Sequence, residues 1–63
     1  MQRLIENLIN GNLRDAKQQA KRFSRSALYL GLREAGFSIK RATLGALWLK
    51  GASHLWQDFC DAA

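Results

Sequence analysis

The chain has 63 residues, ten Lys or Arg against five Asp or Glu, one cysteine and no proline. A chain this short buries only about 60% of its unfolded surface, so residues 1–63 are expected to form a single small helical domain with one modest core. Cys60, the only cysteine, excludes an intrachain disulfide and a cysteine metal cluster, and no apolar run approaches the roughly 20 residues needed to span a bilayer.

Ala, Leu, Arg, Lys and Gln dominate, Val is absent, and the β-branched residues are only Ile5, Ile9, Ile39 and Thr43. These are helix formers with few strand formers, and the expected class is all-α. The first helix is predicted over about Gln2 to Asn10, where Leu4, Ile5, Leu8 and Ile9 make one apolar stripe. Asn10-Gly11 ends it, since glycine accepts the left-handed backbone that follows a helix. Asn12 is placed to cap the next helix, with Asp15 in its first turn at the positive end of the dipole. So short a link predicts an antiparallel helical hairpin.

From Leu13 onward, Leu13, Ala16, Ala20, Phe23, Ala27 and Leu30 keep an unbroken three- and four-residue spacing. That spacing alone reads as one helix from Leu13 to about Ala35. A break at Phe23-Ser24 competes with it, because Ser24 or Ser26 is a capping residue and Leu28, Leu32 and Ala35 begin a different stripe. The second stripe favours two helices. Gly36-Phe37-Ser38 is the clearest boundary: Gly36 terminates, Ser38 caps, and Phe37 precedes the cap where it packs back on the core. The helix Ile39 to Lys50 is apolar on most sides, the pattern of a central helix. Gly31 and Gly45 lie within helices at about 1 kcal/mol each relative to Ala, which predicts close helix–helix approach there. Gly51 then closes the fourth helix, Ser53 is expected to cap a fifth, and Leu55, Phe59 and Ala62 form its apolar stripe.

Charge is concentrated. Between Arg14 and Arg41 lie eight basic residues and two acidic ones, whereas the last twelve residues carry Asp58 and Asp61 with no Lys or Arg. Arg14, Lys17, Lys21 and Arg25 recur at helical steps opposite the Leu13–Ala16–Ala20 stripe, so they project from one surface, and Arg22, Lys40 and Arg41 are candidates to extend it. Such a row neutralises phosphates, the sequence-independent part of nucleic-acid affinity; otherwise it is a solvated face that keeps a small protein soluble.

Other constellations are weaker. Leu32 to Leu47 has the outline of a helix-turn-helix, but of Ile39, Lys40, Thr43, Leu44 and Leu47 only Lys40 suits a base or phosphate. Trp48 and Trp56, with Tyr29 and Phe59, are many rings for so small a core. Leu47, Trp48 and Leu49 are consecutive, so one must turn from any single packed face, and a surplus tryptophan is a typical anchor for a protein partner. His54 and Asp58 are expected to be a surface pair, with no nucleophile in register. Arg3, Glu6 and Asn7 interrupt the apolar residues of the N-terminus, unlike a signal peptide, and the expected location is cytoplasmic.

The words Asn10-Gly11-Asn12-Leu13, Ala16-Lys17, Ala20-Lys21-Arg22-Phe23-Ser24, Leu49-Lys50-Gly51 and Phe59-Cys60-Asp61-Ala62 resemble short reading frames of phages and conjugative plasmids. That resemblance implies an accessory protein acting by stoichiometric binding and assigns no residue a role. The sequence therefore predicts a compact all-α bundle of four or five short helices and a non-catalytic protein. Its leading reading is nucleic-acid binding through Arg14, Lys17, Lys21, Arg22 and Arg25, extended by Lys40 and Arg41. The alternative is a protein-interaction module or homodimer that meets an acidic protein through Trp48, Trp56 and the basic face. Neither reading involves a cofactor, a metal, a small-molecule substrate or membrane insertion.

Overall fold

A computed structural model describes residues 1–62 of the chain. It contains α1 (Gln2–Ile9), α2 (Leu13–Ala20), α3 (Arg25–Glu34), α4 (Ile39–Leu49), a 3₁₀ turn (Ser53–Leu55) and α5 (Trp56–Asp61). α1 and α2 pack as the expected hairpin, tied by Asn7 Nδ2 donating to Gln19 Oε1 at 2.9 Å. α4 is the central helix, packed against α3 most extensively and also against α2, the 3₁₀ turn and α5. No helix among the described residues is long and apolar enough to cross a membrane.

The helices stop where backbone chemistry stops them. At the end of α3, Gly36 adopts φ 101°, which lets the Phe37 N–H reach Leu32 O at 3.1 Å and the Gly36 N–H reach Arg33 O at 3.0 Å. This is a Schellman closure, and it satisfies two carbonyls that the helix leaves open. The same paired bonds close α1 around Gly11 and α4 around Gly51. α2 ends differently. Lys21, Arg22 and Phe23 each donate three residues back, to Gln18, Gln19 and Ala20, in tight 3₁₀ bonds. Ser24 then opens α3, its Oγ accepting from the Ala27 N–H at 3.1 Å, and Ser38 opens α4 by the same bond from Arg41 N–H. The segment 13–35 is thus two helices, and the long three-four stripe ends at the surface: Leu30 is 59% exposed.

Two predicted caps act otherwise. Asn12 precedes α2, but its side-chain oxygen accepts no capping bond; its Nδ2 donates toward Asn7 Oδ1 at 3.5 Å. Ser53 begins the 3₁₀ turn, and its Oγ accepts from Lys17 Nζ at 3.2 Å, so the fifth α-helix starts only at Trp56.

The core is apolar: Leu4, Leu8, Ala16, Ala20, Leu28, Leu32, Ala42, Ala46, Trp48, Leu49 and Phe59 are buried together, and among the described residues no polar or charged residue joins them. Gly45 is a point of close helix approach within it. A methyl built there would lie 3.0 Å from both Leu32 Cδ1 and Phe59 Cε1, so α3 and α5 both press on the bare backbone of α4. At Gly31 the neighbour is instead the flexible side chain of Met1, 2.8–3.0 Å from an added methyl.

These two glycines should therefore respond oppositely to alanine. Gly45→Ala gains helix propensity but overpacks two immobile side chains, and a net loss of about 1–2 kcal/mol is expected. Gly31→Ala displaces only the Met1 side chain and should gain up to about 1 kcal/mol. Urea unfolding followed by circular dichroism measures both.

Candidate phosphate-binding face

Ala16 and Ala20 are completely buried, which turns Arg14, Lys17 and Lys21 to the other side of α2. The 3₁₀ exit from α2 keeps Lys21 and Arg22 exposed while Phe23 folds partly under, and Ser24 sets Arg25 as the first, exposed residue of α3. Arg14, Lys21, Arg22 and Arg25 thus present their cationic heads to solvent along one stretch of chain.

Lys17 is only partly exposed. Its Nζ lies 4.5 Å from the centre of the Trp48 ring and bonds Ser53, fastening α2 to the far end of α4. Lys50, which the sequence did not single out, stands beside it: its Nζ donates to Phe23 O at 3.0 Å across the α2–α3 turn. Lys17, Lys21 and Lys50 border a shallow depression of about 260 Å³ with Leu49 and Gly51. The signal for Lys50 was its place just before the closing Gly51, where a cation meets the negative end of a helix.

Lys40 and Arg41 are set apart from Lys50. They lie in the first turn of α4, about 15 Å along the helix axis from Lys50 at ten residues of about 1.5 Å each. Arg41 is moreover engaged. Its guanidinium carbon sits 4.5 Å from the Phe59 ring centre and 5.0 Å from that of Phe37, and its Nε donates to Phe59 O at 3.3 Å. Arg33 is also held, donating to Phe37 O at 2.8 Å.

Carboxylates sit on other parts of the surface. Asp15 faces α1, beside Arg3, Asn7, Gln18 and Gln19. Glu6 and Glu34 flank Met1 and Gly31. Asp58 and Asp61 lie on α5, where Asp61 Oδ1 accepts from Gln57 Nε2 at 3.0 Å.

The tryptophans are not a surface pair. Trp48 is 5% exposed and packs on Trp56 in a tilted arrangement, with centroids 4.6 Å apart and planes 42° from parallel. Trp56 continues to Phe59 at 5.4 Å, and Phe59 to Phe37 at 6.0 Å, so the four rings form one ladder. Leu47 is the member of the Leu47-Trp48-Leu49 triplet that turns outward, and the expectation of Trp48 as an exposed anchor is corrected. Trp56 is half-buried in the same ladder. The helix-turn-helix outline is weaker still: Thr43, on the exposed side of α4, spends its hydroxyl on Ile39 O at 2.8 Å. His54 and Asp58 are both exposed. Among the described residues no group of three or more His, Cys, Asp or Glu is gathered to hold a metal ion.

Comparison with protein-family models, curated proteins and solved structures finds no match to this chain.

Because Arg41 bridges two rings and a carbonyl, Arg41→Lys should lower stability by about 1 kcal/mol, since an ammonium cannot stack flat on both rings. Lys40→Met, on an exposed neighbour, should leave the melting temperature unchanged. Truncating Trp48 to Ala should remove about 3–5 kcal/mol and leave the chain largely unfolded at 25 °C by near-ultraviolet circular dichroism.

Proposed function

We propose that the chain is a non-catalytic protein that binds nucleic acid through phosphates, with Arg14, Lys21, Arg22 and Arg25 as the contacting side chains. Lys17 and Lys50 add positive potential at the edge of that face while fastening α2 and the α2–α3 turn to α4. The observation that supports this reading is the exposure of four cationic heads on one stretch of chain, while Asp15, Glu6 and Glu34 line clefts against α1 and Met1. Flexible, solvated Lys and Arg heads suit phosphate oxygens, and release of condensed counterions supplies the affinity. Sequence discrimination is not part of the proposal. The resemblance to phage and plasmid reading frames fits a stoichiometric binder of this kind.

Fluorescence anisotropy with a labelled random DNA duplex and a single-stranded RNA tests the reading across a salt series. Micromolar binding at about 50 mM salt is expected. With four phosphate contacts the slope of log K against log salt should be about −3.6 on duplex and about −2.8 on single strand. Lys21→Glu with Arg25→Glu should abolish binding and leave the melting temperature within error, because both side chains are exposed. Absence of binding to either probe at about 50 mM salt overturns the proposal.

A further inference from the structure

α3 and α4 pack on each other, and an open groove of about 480 Å³ lies between them. Leu30, Tyr29 and Leu47 form its walls, Ala46 its floor, and Thr43 and Arg25 its rim. Leu30 is 59% exposed here, and Ile39, one turn before Thr43 on the same side of α4, is 63% exposed. We propose that this groove docks an acidic amphipathic helix of a partner protein.

Shape comes first. The groove lies along two adjacent helices, the geometry that receives a third helix through its apolar stripe. Its lining on α3, from Arg25 to Leu30, spans about 7.5 Å of helix axis, nearly one and a half turns. The walls are also preformed. Leu28, Leu32, Ala42 and Ala46 are buried at the α3–α4 contact beneath it, so a ligand need not order the site.

Charge then selects the occupant. Arg25 stands on the rim of the groove, and the exposed Lys40 lies one turn before Thr43 on α4. No carboxylate lines it, and Glu34 faces Met1 instead. A helix with Asp or Glu flanking its apolar stripe meets Arg25 and Lys40. A second copy of this chain meets the reverse: a two-fold pairing brings two like-charged grooves together in a protein of net charge +5. The chain's own acidic helix, α5, is committed to the core through Phe59, which is 4% exposed. Nucleic acid is unsuited to an apolar floor, so this surface is separate in chemistry from the phosphate face, sharing only Arg25 at its margin.

The test is a displayed library of helical peptides with Leu at positions i, i+3 and i+7 and all flanking positions randomised, selected on the full chain. Enrichment of Asp and Glu at the flanks is expected, with affinity falling at least tenfold on Leu30→Asp and, independently, on Thr43→Glu. Both positions are exposed, and unchanged melting curves show that the variants fold. Lys21→Glu should leave peptide binding intact, which separates this result from that of the phosphate face. Failure to enrich any sequence, enrichment of neutral or basic flanks, or indifference to both groove variants overturns the proposal. Light scattering that shows a dimer of the free chain dissolved by Leu30→Asp overturns it as well, in favour of a second copy.

Discussion

The bundle depends on the close approach at Gly45. Leu32 from α3 and Phe59 from α5 both reach the α4 backbone at this residue, each 3.0 Å from where a methyl would stand. With the helices this near, α4 buries residues toward both neighbours, and among the described residues the buried core contains no polar or charged side chain. α5 gains most. Six residues are far below the length at which a helix persists alone in water, so its order comes from Phe59 and Ala62 held against the bundle.

From Phe59 the packing continues as a ladder of rings through Trp56 to Trp48 and sideways to Phe37. Cations cover both ends, Lys17 over Trp48 and Arg41 over Phe59 and Phe37. Their stems shield apolar surface while their heads remain near water, and each head also meets a neutral oxygen. Lys50 and Arg33 do likewise with the carbonyls of Phe23 and Phe37. The basic composition thus serves two ends. Part of it ties turns and helix ends to the bundle, and the remainder stands outward on the proposed phosphate face.

The same economy makes the α3–α4 groove conspicuous. Burying a leucine side chain contributes about 1.5–3 kcal/mol, a large share of the few kcal/mol by which a domain this size is stable. Yet Leu30 and Ile39 stay mostly in water on one side of the molecule, over the best-packed helix pair. Their exposure is explained if a partner covers them, and Arg25 and Lys40 beside them give that partner its sign.

Local rules made the helix boundaries legible. Gly11, Gly36 and Gly51 end helices because glycine takes positive φ freely, and Ser24 and Ser38 begin them because a hydroxyl satisfies an open N–H. The all-α class, the N-terminal hairpin and the central place of Ile39–Leu49 follow from composition and periodicity, which depend on near neighbours in the chain. What periodicity could not decide was which cations are spent and which ring is hidden. Ser53 became an acceptor for Lys17 rather than a cap, Arg41 a bridge between two rings, Lys50 a clasp on Phe23, and Trp48 a core residue. Each of these rests on a contact between residues 18 to 36 positions apart or on the stacking of separate helices. A helical repeat fixes a side chain's direction around its own axis. Only the packing of one axis on another decides what lies in that direction.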